Sequence, residues 1–191
     1  MAAREMLEQH LAALQQSFSE LDLAEIERMV DLLEDTRRAG RQVFVFGNGG
    51  SAATASHMAC DLSKTASSPG GPRLKTIALT DNVPLITAIA NDLAYEDVFV
   101  EQMATLWCEG DVALAISASG NSPNVLKAAR YARAHGGETI AFTGFGGGAL
   151  AALASLKVVL SSHDYGVVED MHSILNHMIT RALRSRQGTS F

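Results

Sequence analysis

The sequence predicts an α/β fold in which a five-stranded parallel sheet is flanked by helices in three layers and preceded by a helical hairpin. Five short apolar runs are spaced along the chain, and most of them are followed by segments compatible with helices. Two of these runs end in turns rich in glycine or serine that lead into a helix. Strands that alternate with helices in this way are joined by right-handed crossovers and form a parallel sheet.

The N-terminal hairpin is predicted from helical spacing of apolar residues. They recur from residue 2 to about 17 and from residue 23 to about 38, and Asp22 is a suitable cap between the two helices. The hairpin therefore takes residues 1–40, and the α/β domain takes residues 41–191 with no linker between them. The predicted strands cover residues 43–46, 74–79, 112–116, 139–143 and 156–160.

The hairpin carries more apolar surface than one small sheet needs on one side. Leu7, Leu11, Leu14 and Phe18 recur on the first helix, and further apolar residues follow on the second. We expect this surface to form the interface of a homo-oligomer. The alternative is that the hairpin covers one face of its own sheet, because layered α/β domains need both faces covered.

Composition excludes several classes of function. The chain has 191 residues and a net charge of −6, so we expect neither a nucleic-acid partner nor a membrane partner. No segment approaches the length of a membrane span, and the N-terminus has no apolar leader run. Cys60 and Cys108 lack metal-binding spacing and are predicted to be buried free thiols in helices. These features predict a cytoplasmic protein.

The most informative turn follows the third predicted strand. Ser117, Ala118, Ser119 and Ser122 lie where this strand ends and a helix begins at Pro123. Hydroxyl groups and unpaired N–H groups at a helix N-terminus converge well on an anion, and proline suits the first helical turn. The turn predicts a phosphate-binding cradle, whereas taken alone it is also compatible with an ordinary serine-rich turn.

A second turn of the same design follows the first strand. Asn48, Gly49, Gly50 and Ser51 connect that strand to a helix, and glycine allows the backbone to approach a ligand closely. The turn lacks the Gly-Lys-Ser/Thr pattern of nucleoside triphosphate binding and the spacing of dinucleotide-binding loops. Two such turns indicate one ligand at the carboxyl ends of the parallel strands.

Ligand-type side chains lie on two helices. His57 and Asp61 are four residues apart and share one helical face, which suits either a metal site or a simple surface ion pair. Glu169, His172 and His177 lie on or near the last helix. Among these, His172 is predicted to be a structural, hydrogen-bonded histidine at a helix surface.

The chain resembles the sugar isomerase (SIS) domain family, and within it the sedoheptulose 7-phosphate isomerases, also called phosphoheptose isomerases. The matching features are the segments 47–53, 87–92 and 117–126 together with His57, His172 and His177. The resemblance implies an SIS-type, flavodoxin-like three-layer sandwich, a homotetramer with shared active sites, and a phosphorylated sugar as substrate. Phosphosugar-binding positions that it implies are Asn48, Gly49, Gly50, Ser51, Asn91, Asp92, Ser117, Ala118, Ser119 and Ser122.

The resemblance also implies a metal site, usually for zinc. Its ligands fall on His57, Asp61, Glu169 and His177, and the last three are the implied catalytic residues. Two positions depart from the family pattern, because Asp61 replaces a glutamate and Glu169 replaces a glutamine. The aspartate is one methylene shorter, so its carboxylate ends about 1.5 Å short, and a misplacement of that order costs ~100-fold in rate. The longer Glu169 is expected to compensate.

The implied reaction is conversion of sedoheptulose 7-phosphate to D-glycero-D-manno-heptose 7-phosphate through an enediol. Two alternatives stay open. A non-catalytic SIS protein would bind a phosphosugar or, like the DiaA-like proteins, the replication initiator DnaA. An isomerase with altered carboxylates would act on a related ketose phosphate, whose sugar the segment 93–97 would line.

Overall fold

The structure, a computed structural model that describes residues 2–188, has the predicted α/β architecture. Its five strands are all parallel and are β1 (Gln42–Gly47), β2 (Lys75–Ala78), β3 (Val112–Ser117), β4 (Glu138–Thr143) and β5 (Leu156–Val159). The α-helices are α1 (Ala3–Ser19), α2 (Leu23–Arg38), α3 (Gly50–Cys60), α4 (Val83–Asp92), α5 (Val100–Leu106), α6 (Pro123–Ala134), α7 (Gly148–Leu153) and α8 (Tyr165–Ser185).

The helical hairpin consists of α1 and α2, and its two helices differ in burial. Asp22 caps α2 as predicted, since its Oδ1 accepts hydrogen bonds from the backbone N–H groups of Ala24 and Glu25. Met29 and Leu33 of α2 are fully buried in the core layer that α2 shares with the sheet and α8. Leu7 and Leu11 of α1 are instead 67% and 60% exposed. Thus α2 covers its own sheet, while α1 presents the apolar surface for which we predicted an oligomer interface.

Alternation along the strands divides the core into two layers. Val43 and Val45 of β1 face α2, α3 and α8, whereas Phe44 and Phe46 of the same strand face α5 and α6. All four side chains are fully buried. A strand that is apolar on both faces is typical of a parallel sheet with helices on both sides, so the sheet is the middle layer of three.

Strand order decides where a ligand can bind. The order is β2-β1-β3-β4-β5, so the chain leaves β1 on one side toward β2 and later returns to its other side as β3. Gly47 at the end of β1 is paired with Ile116 near the end of β3. The two predicted cradle loops therefore meet at the topological switch point, where open α/β sheets bind their ligands.

The cysteines correct one prediction. Both are free, as expected, but both are exposed rather than buried. Cys60 ends α3 on its solvent side, and Cys108 lies in the loop between α5 and β3 rather than in a helix. Among residues 2–188, no helix combines the length and the apolar character needed to cross a membrane.

Candidate active site

The first cradle loop joins β1 to α3. Gly49 has φ = 57° and precedes the first helical residue, Gly50, and no side chain caps this helix end. A Cβ atom at Gly47 would lie 2.6 Å from the carbonyl oxygen of Ile116 and 2.8 Å from Cβ of Ser51. Glycine is therefore required where the loop passes over β3, and the N–H groups of the first turn of α3 face the switch point.

The second cradle loop joins β3 to α6. The Oγ of Ser117 accepts a hydrogen bond from the backbone N–H of Gly120 at 3.2 Å, and the Oγ of Ser119 accepts one from Asn121 at 3.3 Å. Ser122 is the N-cap residue and Pro123 begins the helix, but the Ser122 side chain makes no capping bond. The hydroxyl of Ser122 is thus not used for capping, which suits the binding of an anion at this helix start, although the backbone N–H of Val125 in the first turn donates to Oδ1 of Asn124 at 3.0 Å.

Two asparagines connect the loops. The amide of Asn48 donates to Oδ1 of Asn124 at 2.9 Å, and the amide of Asn124 donates back to Oδ1 of Asn48 at the same distance. The hydroxyl of Tyr95 also donates to Oδ1 of Asn48, at 3.0 Å. Asn124 is 2% exposed. Sequence reasoning assigned no role to Asn124, although its place directly after Pro123 puts its side chain in the first turn of α6.

Asn91 and Asp92 lie at the exposed end of α4. The amide of Asn91 donates to Oδ1 of Asp92 at 2.7 Å. The pair is followed by a 3₁₀ turn that starts at Tyr95, whose hydroxyl reaches Asn48. The structure thus ties the segment after Asn91 and Asp92 to the first cradle loop, and their contact with a sugar stays a prediction.

A second group of polar side chains lies at the other end of α3. The Oδ2 of Asp61 is 3.3 Å from Nε2 of His57 and 3.8 Å from Nε2 of His177. One ligand atom from each of the three residues lies within 4.8 Å of the others. The imidazoles are half exposed, whereas the Asp61 side chain is 13% exposed. This group, which we call the triad, borders a cavity of about 520 Å³.

The donor set of the triad fits a zinc ion. Two imidazoles and one carboxylate are ligands that zinc takes in catalytic sites, where a further position stays open for water or substrate. The cavity beside Asp61 and His177 provides room for such a position. Asp61 also begins a π-helical turn (Asp61–Thr65) that continues α3. Turns of this type occur frequently at functional sites.

Glu169 does not belong to the triad within one chain. A Cβ atom at Gly50 would collide with both carboxylate oxygens of Glu169, so this carboxylate lies against the N-terminus of α3. Helices α3 and α8 pack side by side and run in the same direction. At a rise of 1.5 Å per residue, Glu169 and His177 are about 12 Å apart along α8. A metal-ligand role for Glu169 stays a prediction. Its carboxylate lies beside the first cradle loop, against Gly50.

His172 lies in the core rather than at the helix surface. The side chain is fully buried, and among residues 2–188 neither ring nitrogen has a hydrogen-bond partner of good geometry. Burial lowers the pKa of His172 to about 4, and the backbone of Thr143 opposes this shift weakly. The predicted structural role of His172 agrees with this burial, but its predicted position at the helix surface is wrong, because the face of α8 that carries His172 packs against the sheet beside Phe142.

Comparison with known proteins identifies the family of this chain. The model of the SIS domain matches residues 8–144. The chain belongs to the SIS domain family. The phosphoheptose isomerase of Chlorobaculum tepidum is 37% identical over 179 residues, which are 93% of this chain and 86% of that one. The probable phosphoheptose isomerase of Thermoplasma acidophilum is 40% identical over 159 residues, which are 83% and 87% of the two chains.

Solved structures of the SIS family agree with the fold. The phosphoheptose isomerase GmhA from Neisseria gonorrhoeae superposes with a TM-score of 0.87 and 28% identity, covering 95% of this chain and 96% of that one. A phosphoheptose isomerase from Francisella tularensis gives a TM-score of 0.88 with the same identity and coverage. The chain is therefore similar to phosphoheptose isomerases over nearly its whole length.

Proposed function

We propose that this protein is a sugar-phosphate isomerase that converts sedoheptulose 7-phosphate to D-glycero-D-manno-heptose 7-phosphate. The observation that carries the proposal is the meeting of two anion-binding loops at the switch point of the sheet, in a chain that also holds a His-Asp-His triad. The similarity to phosphoheptose isomerases over 93% of the chain supports the same activity.

The cradle is proposed to hold the phosphate. Hydroxyls of Ser117, Ser119 and Ser122 and the N–H groups at the start of α3 supply donors, and the dipoles of α3 and α6 both favour a negative charge there. The reciprocal bonds between Asn48 and Asn124 keep the two loops in register. The phosphate end of the sugar is thereby fixed before the reacting carbons are positioned.

Proton transfer is proposed for the carboxylates and His177. Either Asp61 or Glu169 takes the proton from C1 of the ketose and returns it to C2, while His177 moves a proton between the two oxygens. His57, Asp61 and His177 would hold the zinc ion, and Glu169 would serve as a fourth ligand only at the site of a neighbouring copy. When bound, zinc would supply a Lewis acid that polarises the carbonyl oxygen.

The site is proposed to be completed by neighbouring copies in a tetramer. Support comes from the separation of about 12 Å along α8 between Glu169 and His177, because two side chains that far apart on one helix do not reach the same metal ion. The exposed apolar face of α1 supplies a surface for association. Exposed free thiols and a phosphorylated substrate fit a reducing, cytoplasmic location.

The deciding experiment follows proton exchange by NMR in deuterated water. We expect zinc-stimulated deuterium uptake and an aldose signal from sedoheptulose 7-phosphate, with loss of both in the presence of a chelator. Asp61→Asn should bind the sugar phosphate but not exchange its proton. Binding without exchange in the wild type would instead indicate a different ketose phosphate or a non-catalytic binding protein.

A second experiment tests shared sites. Light scattering gives the mass of the assembly. Asp61→Asn is then mixed with the double variant Ser119→Ala/Ser122→Ala under conditions that exchange subunits. Recovery of activity in the mixture would support sites built from two chains, because some hybrid sites combine an intact cradle with an intact triad. Failure to recover activity in verified hybrids would place each site within one chain.

A further inference from the structure

A buried amide contacts the triad from behind. The Nδ2 of Asn176 donates a hydrogen bond to Oδ2 of Asp61 at 2.9 Å. Asn176 is fully buried on α8, and its Oδ1 accepts a bond of 3.4 Å from the hydroxyl of Thr180, which is 1% exposed. A buried asparagine must satisfy its polar atoms inside the protein, since an unpaired buried amide costs about 1–3 kcal/mol. Here the Asp61 carboxylate satisfies the amide donor.

The bond matters because the same carboxylate of Asp61 also contacts the two imidazoles of the triad. Its Oδ2 is also the oxygen that faces Nε2 of His57 and of His177. The last torsion of an aspartate is broad, so an unanchored carboxylate samples several orientations. A donor fixed in the core beneath the triad removes this freedom. The two imidazoles, in contrast, are half exposed, and that of His177 borders the cavity.

Local backbone geometry places Asp61 where the amide can reach it. The backbone N–H of Ala66 donates to the carbonyl oxygen of Asp61 at 2.8 Å, which is the five-residue bond of a π-helical turn. This turn packs against α8. Because aspartate has only one methylene, its carboxylate stays close to this backbone, and the neighbouring helix is the element that can hold its orientation.

We propose that Asn176 is a positioning residue that orients the Asp61 carboxylate for zinc binding and for proton transfer. The inference deepens the proposed function and rests on its metal site. Hydrogen-bond partners behind metal ligands are typically worth 10–100-fold in metal affinity or activity. Asn176 itself touches neither zinc nor sugar. Its removal should therefore weaken zinc binding and lower kcat, while KM for a sugar phosphate held by the distant cradle changes little.

The test compares Asn176→Leu with a matched control. Leucine has a similar volume but no donor. Ile179→Val is the control, because Ile179 is fully buried on the same helix and its substitution leaves the bonds of Asn176 to Asp61 and Thr180 in place. Zinc affinity of the metal-free proteins is measured by competition with a chromophoric chelator, without sugar. We expect Asn176→Leu to bind zinc about 10–100-fold more weakly and Ile179→Val to bind it like the wild type.

Folding is checked by circular dichroism and thermal unfolding of each metal-free variant. If Asn176→Leu does not fold, Asn176→Ser replaces it, because its short hydroxyl ends before Asp61. Wild-type zinc affinity in a folded Asn176 variant would overturn the inference, and so would a wild-type protein that binds no zinc. Absence of isomerase activity in a zinc-binding wild type would refute the proposed function alone, because the affinity measurement uses no substrate.

Discussion

Acid should destabilise this protein through one buried histidine. In the folded chain, burial lowers the pKa of His172 to about 4 from an ordinary value of 6.5. Between these two values the unfolded chain binds a proton that the folded chain excludes. The contribution of neutral His172 to the free energy of unfolding is therefore fully present above pH 6.5, and it falls as the pH drops toward 4.

The size of the effect follows from the shift. Lowering the pKa of His172 from 6.5 to about 4 corresponds to about 3 kcal/mol at pH values below 4, and to about 2 kcal/mol at pH 5. His172→Leu removes the titrating ring and keeps an apolar side chain in the core. The free energy of unfolding of the wild type should thus fall by about 2 kcal/mol more than that of His172→Leu between pH 8 and pH 5.

Urea unfolding measures this difference, and the protein concentration is held fixed because the stability of the proposed oligomer would depend on it. Ile179→Val is the control, because it is fully buried on the same helix and carries no titratable group. It should cost about 1 kcal/mol at every pH. Equal pH dependence of the wild type and His172→Leu would refute the reasoning, as would an NMR titration of His172 near pH 6.5.

Three further substitutions test the cradle. Gly50→Ala should leave the fold stable, because alanine favours a helix by about 1 kcal/mol over glycine, but it displaces the Glu169 carboxylate and should lower kcat by ~100-fold; unchanged kinetics would contradict the placement of Glu169. Ser119→Ala should weaken sugar-phosphate binding by about 1–3 kcal/mol in calorimetry, and unchanged affinity would refute its role in the cradle. Gly120→Ala forces a left-handed residue (φ = 64°) against the Gly147 carbonyl, so thermal unfolding should show a loss of about 1–3 kcal/mol, and an unchanged Tm would argue against this close approach.

Local pattern was sufficient to predict the strands, the helical hairpin and both cradle loops. The strand segments are apolar runs because the strands are buried on both faces, and the loop segments are rich in glycine and serine directly after a strand. The pairing of His57 with Asp61 also followed from sequence, because residues four apart share one face of a helix. Each of these features depends on neighbours within a few positions along the chain.

Tertiary packing decided the rest. Only the parallel packing of α8 beside α3 brings His177 to the triad, leaves Glu169 beside Gly50 and places the Asn176 amide behind Asp61. The same packing buries His172, which a helical pattern with mixed polarity had suggested was at the surface. Sequence thus determined which elements form and where the two predicted cradle loops lie. Which side chains of the last helix meet which end of α3 depends on the position and rotation of one helix against another, and no local periodicity encodes that.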